Sequence, residues 1–310
     1  MHLLIPFASG LSPAAAHTLG TLQLPALSRL LGRFKAAARI GSDEYSFSTP
    51  QEIALASAWG WPTDDGVLPY AAHQAKADGI DVGSQAWGLL TPAHWHVGRD
   101  HITLADPHAL NLSNVESKNL MGALQQLFAD DEWTLHWGAA ERWYASHPSL
   151  AALRCASLDR VIGRNVDVWL PNTPQVKTIR RLQSEAQMLL YAHPLHDDRQ
   201  SRDELPVNSF WLSGCGMYRA PRHVDKTEID SRLRAPLLAE NWAQWADAWR
   251  ALDSDVIADL LQRDEHGETV SLTLCGERYS TRFDSAPQTL WQRMRGAWHQ
   301  PAVTPLLEAL

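Results

Sequence analysis

Hydrophobic residues recur along this chain with two different periods. Alternation with polar residues predicts short strands, and recurrence at the period of a helix face predicts amphipathic helices between them. Strands are predicted at residues 3–7, in a hairpin over residues 87–104, in the runs WTLHW, VDVWL and VNSFWL, and in a second hairpin on either side of Gly276. Because strands and helical segments follow one another throughout the chain, the pattern predicts an α/β fold.

Helix boundaries are marked by capping residues and prolines. Ser113 with Glu116 three residues later has the pattern of a capping box, which predicts that a helix begins there. Thr173 stands before a proline and predicts the start of a long helix that ends near Tyr191. Residues 217–235 are polar and charged, which predicts a linker or a mobile loop.

Tryptophan is unusually abundant, with 14 residues in the chain. Trp242, Trp245 and Trp249 recur at the spacing of one helix face. We interpret this face as a stripe that packs into the core, and the alternative is a groove that receives a partner. A last helix is predicted around Trp291 and Trp298.

Composition and charge narrow the classes of partner. The 310 residues are 45% hydrophobic and 20% charged, as in ordinary globular proteins, and the net charge of −8 argues against nucleic acid or a charged membrane surface as a partner. The amino terminus has no basic segment before its apolar run, and the three cysteines form no CxxC pair. We therefore expect a cytoplasmic protein with reduced thiols and no membrane anchor.

One of the cysteines lies between two glycines in the run SGCG, at Cys215. It could be a nucleophile, but no base is assigned to it by the sequence. The run also lacks the longer glycine patterns of phosphate-binding loops. A tight turn after a buried strand is the favoured interpretation.

The run TPAHWHVGRDHITLADPH concentrates possible metal ligands within residues 91–108. His94 and His96 would share one face of a strand, but a zinc site needs three or four converging ligands. The other acidic and histidine residues fall beyond the turn at Gly98 or past the predicted strand end. We therefore favour histidines that bond loop carbonyls and cover tryptophan rings, and we predict no metal site.

Residues 80–216 resemble the archaeal-type cofactor-independent phosphoglycerate mutases of the alkaline phosphatase superfamily. The resemblance is carried by the run LPNTPQVKTIRRLQSEAQMLLYAHPLHDDRQSRDELPVNSFWLSGCG, and by SLDRVIGRNV and WGAAERW upstream of it. The matching positions include a Leu-Pro pair, a His-Pro pair, a following arginine, Pro-x-Asn, a Trp-Leu strand and Gly-x-Gly. The whole chain also resembles proteobacterial regulatory proteins of the RpfE type, through HWHVG, DRVIGRN and LPVNSFWLSGCG.

The resemblance implies a reduced alkaline-phosphatase-like α/β layer with an inserted α+β unit. Residues 1–86 would form the first part of the core, residues 87–216 the insert, and residues 217–310 a linker, a Trp-rich helix, a hairpin and a last helix. The first strand, LLIPFASG, lacks the metal-binding aspartate of the family, and Ser42 in IGSDEYSF only faintly matches the serine nucleophile. We therefore expect that the metal centre is lost.

The favoured hypothesis is a cytosolic regulatory or small-acid-binding scaffold without catalysis and without a cofactor. Its ligand would be a small phosphorylated or carboxylated acid, because guanidinium groups bind both bidentately. The expected ligand-binding residues are Arg142, Asp159, Arg164, Arg199 and Asn208, in one cleft near His94 and His96.

Two alternatives stay open. One is an active phosphomutase or phosphatase that uses Ser42 with manganese or zinc. The other is a protein-interaction module that binds its partner through exposed tryptophans. One of the arginines of the expected site could form an ion pair with Asp159 instead of binding a ligand, and we give this alternative equal weight with ligand binding.

Overall fold

The computed structural model describes residues 1–222, 227–285 and 302–310, and these form two compact units. The first unit contains Met1–Glu44, Thr49–Gly60 and Arg222–Leu310, and the second contains Tyr45–Ser48 and Trp61–Pro221. Each unit has its own sheet covered by helices. The predicted α/β class is therefore confirmed. No helix in the described ranges is both long and apolar enough to cross a bilayer.

In the sheet of the first unit, the first strand, His2–Ile5, has a neighbour on each side, and all four of its residues are buried. The strands are β1 (His2–Ile5), β2 (Lys35–Ala36), β3 (Ile40–Gly41), β10 (Thr227–Ile229), β11 (Ser271–Cys275) and β12 (Tyr279–Asp284). Their order is β10-β1-β11-β12-β2, with β3 also paired to β12. β10 and β11 run parallel to β1, and β12 runs antiparallel to β11.

Helices of the first unit bury the core beside this sheet, and the predicted tryptophan stripe is confirmed. The helices are α1 (Pro13–Thr21), α2 (Pro25–Arg33), α3 (Pro50–Ala58), α9 (Arg234–Leu238), α10 (Trp242–Leu252), α11 (Ala258–Glu265) and a helix at Val303–Glu308. Trp245 and Trp249 are fully buried in the core cluster, and Trp242 packs against it while partly exposed. A π-helical turn, Asp253–Ile257, joins α10 to α11.

The sheet of the second unit is antiparallel, with strand order β7-β8-β4-β9. Its strands are β4 (Ala86–Ala93), β7 (Thr134–Ala139), β8 (Arg142–Ser146) and β9 (Ser209–Met217), and a separate hairpin is formed by β5 (Trp95–Val97) and β6 (Ile102–Leu104). β4 lies between two neighbours and is buried almost throughout, since its run AWGLLTPA is mostly apolar.

Two of the five helices described in the second unit begin at the caps that the sequence predicts. The five helices are α4 (Tyr70–Ala77), α5 (Asn114–Ala129), α6 (Leu158–Val161), α7 (Pro174–Tyr191) and α8 (Leu195–Ser201). The capping box of Ser113 and Glu116 is present at the start of α5, and Thr173 caps α7. Short 3₁₀ helices lie at Pro107–Leu110, Pro148–Ala152 and Val166–Trp169.

Three local predictions are wrong. The run SGCG, predicted as a tight turn after a buried strand, lies inside β9, where the register against β4 shifts between Trp87 and Leu89. The run VDVWL is a 3₁₀ turn instead of a strand, because the Asn165 side chain accepts the amide of Asp167 at 3.1 Å and bends the backbone. The polar stretch 217–235 contains the edge strand β10, which is formed by pairing with β1. The predicted helix around Trp291 and Trp298 lies outside the described residues.

The division between the units differs from the boundary expected at residue 86. Residues 61–86 belong to the second unit because α4 packs against β9 and β4 of that unit. Ala71, Ala72 and Ala75 of α4 are fully buried in one cluster with Trp87 and Tyr144. Small side chains on this helix allow its backbone to lie close to the sheet.

Candidate functional site

Four of the residues predicted to bind a ligand lie around one segment of the second unit, residues 205–208. His94, at the end of β4, shares a hydrogen bond between Nδ1 and the Pro206 carbonyl at 2.8 Å. The Asn208 side chain bonds both backbone groups of Trp95, accepting at 2.7 Å and donating at 2.9 Å. These contacts attach the segment to the junction of β4 and β5.

His96 is exposed on β5, and its ring centroid lies 6.4 Å from that of His94. His94 lies in the break between β4 and β5, so the two histidines do not share one strand as the sequence predicts. The His94 ring bonds a loop carbonyl, as the favoured interpretation of this run predicted. Within the described ranges, no group of three or more His, Cys, Asp or Glu residues is arranged to hold a metal ion.

Arg199 is the fourth of these residues, and its side chain is completely buried. Its Nε donates to the Leu205 carbonyl at 2.9 Å, and its two terminal nitrogens donate to Glu116 Oε1 at 3.2 Å and to the Leu110 carbonyl. Burial would raise the pKa of Glu116, but hydrogen bonds from Ser113 and the charge of Arg199 hold it below the usual value. The geometry therefore gives Arg199 a structural role.

Arg142 lies in a different part of the second unit, on β8, where it holds Asp78 at the end of α4. Its Nε and one terminal nitrogen donate to the two Asp78 oxygens at 3.1 and 3.0 Å, and the Tyr144 hydroxyl donates to Asp78 at 2.7 Å. Burial by itself would raise the pKa of Asp78, but these bonds lower it. Burial, followed by the hydrogen bond with Asp78, raises the pKa of Tyr144.

The remaining predicted residues are Asp159, Arg164 and Ser42. Asp159 lies on α6 and Arg164 follows it, near the point where Ile162 bridges to β6. Both side chains are half-buried and both interact with other groups of the protein. Ser42 belongs to the first unit and is exposed directly after β3. Ser42 thus lies in the other unit and Arg142 is paired with Asp78, whereas the segment that carries Arg164 pairs with β6 through bridges at Ile162 and Asn165.

A cavity of about 350 Å³ lies at one end of the second unit's sheet. The four strands contribute Thr134 at the start of β7, Ser146 at the end of β8, Ala86 at the start of β4 and Met217 at the end of β9. The volume lies within the range of about 300–1,000 Å³ that is typical of small-molecule sites. The rest of the described lining is Ser84, Gln85, Glu132, His147, Pro148 and Ala151.

The imidazole of His147 is the most strongly oriented group in this lining. Its ring stacks on the buried ring of Trp133, with centroids 5.0 Å apart and planes 6° from parallel. Its Nδ1 lies 2.7 Å from the Ser149 hydroxyl and accepts the Ser149 amide at 3.2 Å. Because Nδ1 accepts that amide, a neutral ring carries its proton on Nε2.

Among the described residues that line the cavity, Glu132 carries a carboxylate, and there is no lysine or arginine. Ser84, Thr134 and Ser146 supply hydroxyls, and Gln85 supplies an amide. Ser146 is 3% exposed. Such a lining offers hydrogen bonds to a polar molecule but, among the described residues, no lysine or arginine to an anionic one.

None of these lining residues was predicted as a site residue. They are ordinary polar and apolar residues at or near strand ends, separated by up to 133 positions in the chain. The stretch HPS at 147–149 has no pattern that distinguishes a site from a helix cap, and the cavity depends on the strand order.

Comparisons with known proteins give structural neighbours of low sequence identity. No protein-family model and no curated protein matches the chain. The cofactor-independent phosphoglycerate mutase from Thermoplasma acidophilum DSM 1728 is a structural neighbour with 14% identity and a TM-score of 0.38, over 91% of this chain and 89% of that chain. The PH0037 protein from Pyrococcus horikoshii has 11% identity and a TM-score of 0.44, over 95% and 92%.

Proposed function

We propose that this protein is a non-catalytic binding protein that holds a small polar ligand in the cavity at the end of the second unit's sheet. The observation that carries the proposal is the cavity itself, which is lined by residues from the ends of all four strands and takes its strand hydroxyls from Thr134 on β7 and Ser146 on β8. Groups fixed by a hydrogen-bonded sheet are already ordered before a ligand binds, and this reduces the entropic cost of binding.

The lining favours a neutral or positively charged ligand over the small phosphorylated or carboxylated acid expected from the resemblance. An acid would bring its charge near Glu132 without a described cationic partner in the lining. A polyol could use the Ser146 and Thr134 hydroxyls, and an amine could also use the carboxylate of Glu132.

The absence of catalysis is supported by what the predicted arginines do. Arg142 is held by Asp78 through two hydrogen bonds, and the buried Arg199 by Glu116 and two carbonyls. Guanidinium groups that would stabilise a transferring phosphoryl group must face it. Here the guanidinium groups of Arg142 and Arg199 instead donate hydrogen bonds to acceptors within the protein.

Calorimetry with three probes tests the binding proposal: sorbitol, putrescine and 3-phosphoglycerate. We expect binding of sorbitol or putrescine and none of 3-phosphoglycerate. Ala151→Phe should abolish the heat, because Ala151 is an exposed lining residue that a ring would extend into the cavity. Ala152→Phe is the matched control, since Ala152 is the exposed next residue and does not line the cavity.

Two results would contradict the proposal. Binding that persists unchanged in Ala151→Phe would place the site elsewhere. Phosphate release from 3-phosphoglycerate in the presence of manganese or zinc, lost in Ser42→Ala, would show that the protein is an enzyme.

A further inference from the structure

Two of the three cysteines lie in contact in the second unit, although 60 positions separate them. The amide nitrogen of Cys215, on β9, donates to the Sγ atom of Cys155 at 3.4 Å. The N–Cα bond adds about 1.5 Å, so Cys155 Sγ lies within about 5 Å of the Cys215 Cα. This separation is compatible with the short Cβ–Cβ distance that a disulfide requires, about 3.5–4.5 Å.

The two thiols differ in their access to solvent. Cys155 is partly exposed and adjoins a cavity of about 20 Å³, which has space for a water-sized molecule. Cys215 is buried, and burial together with its hydrogen bond to the Cys155 side chain raises the pKa of the Cys215 thiol. An oxidant therefore reaches Cys155 first.

The backbone around both cysteines is held in place. The amide of Cys155 donates to the Gly66 carbonyl at 3.0 Å, and Cys215 is fixed in the sheet between Gly214 and Gly216. The sulfur of Cys155 also lies 4.0 Å from the Gly66 carbonyl oxygen. Bond formation therefore needs rotation of side chains more than displacement of the chain.

We propose that Cys155 and Cys215 are a site of oxidative modification, at which a peroxide converts the two thiols into one intramolecular disulfide. The Cys155 thiolate attacks one peroxide oxygen, the O–O bond breaks, and a sulfenic acid and water are formed. The Cys215 sulfur then attacks the sulfenic sulfur, the S–O bond breaks, and a second water leaves. Two thiols are oxidised, and one hydrogen peroxide is reduced to two waters.

The test is to treat the full chain with hydrogen peroxide, block the remaining thiols with N-ethylmaleimide, and map the products by peptide mass spectrometry. We expect a Cys155–Cys215 cross-linked peptide pair and a protein lighter by two hydrogen atoms before alkylation. Cys275 should remain free, because it is fully buried in the first unit. Formation of the cross-link should accelerate as pH rises, since the Cys215 thiol must lose its proton.

Two cysteine variants and a measurement of thermal stability test the identity of the disulfide further. Cys275→Ser should form the same disulfide as the wild type, and Cys215→Ser should accumulate a Cys155 sulfenic acid that dimedone labels. The oxidised wild type should show a Tm higher by roughly 5 °C, reversed by a reductant, because the cross-link closes a long loop of the second unit.

Three results would overturn the proposal. The first is a disulfide that involves Cys275 or a second molecule. The second is irreversible oxidation of Cys155 while Cys215 is still alkylated. The third is full alkylation of both cysteines after treatment, measured on the wild type, so that no folding defect of a variant can explain it.

Discussion

The sharpest test of packing in the second unit is Ser117→Ala, near the start of α5. Ser117 is fully buried, and its hydroxyl donates to the Ala140 carbonyl at 2.8 Å. The same oxygen accepts the indole N–H of Trp143 at 2.8 Å and that of Trp137 at 3.2 Å. One small side chain thus connects the helix to both strands of the β7–β8 hairpin.

The expected loss follows from what each partner can do afterwards. Trp143 is fully buried, so its N–H would have no acceptor, which costs about 1–3 kcal/mol. Trp137 is half-buried and water can replace its bond, leaving a loss of about 0.5 kcal/mol. Alanine is the better helix former by about 0.5 kcal/mol. The net expectation is a loss of about 2 kcal/mol.

Urea unfolding followed by near-ultraviolet circular dichroism measures this loss for the second unit. Asn119→Ala is the matched control, because Asn119 is an exposed residue of the same helix. It should leave the free energy of unfolding unchanged or slightly higher. If Ser117→Ala has the same stability as Asn119→Ala, the three hydrogen bonds contribute nothing and the reasoning is refuted.

Three further outcomes follow from the contacts of the second unit. Arg199→Met should lower the free energy of unfolding by about 1–3 kcal/mol in urea titration, because the Leu110 and Leu205 carbonyls lose a buried donor while Arg202 still pairs with Glu116, and Arg199→Lys should restore little of it. The pKa of Asp78 is lowered in the folded state, so its ionised carboxylate stabilises the fold. This stabilisation is present above pH 3.8, the ordinary pKa, and is lost as the pH falls through the lowered pKa. Acid titration should show this loss of stability in the wild type and a weaker loss in Asp78→Asn or Arg142→Met. Gly214→Ala should lower Tm, because its φ is +63° and a Cβ would lie 2.9 Å from a backbone nitrogen of α4; a Tm equal to the wild type would contradict the tight approach.

The local elements that the sequence predicts correctly are those with a short-range physical cause. The capping box at Ser113 and the cap at Thr173 satisfy backbone amides within three residues. The stripe of Trp245 and Trp249 follows from the helix period, and the burial of both rings confirms it. These signals need no knowledge of the rest of the chain.

Strand pairing and site assembly depend on residues far apart in sequence. β10 has few apolar residues and forms because β1 offers its backbone groups, a partner more than 200 positions away. Arg199 looks like a ligand-binding arginine in the sequence, yet its acceptors include Glu116 and the Leu110 carbonyl. Whether a guanidinium meets a ligand or a carboxylate is decided by packing.

The sequence alone therefore determined the α/β class, the helix starts at Ser113 and Thr173 and the buried tryptophan face, because these follow from the periodicity and capping of neighbouring residues. Only the tertiary structure decided where the strand ends of the second sheet enclose a cavity and which two cysteines touch. The physical reason is that strand order and register set these distances, and hydrogen bonds between distant segments fix both.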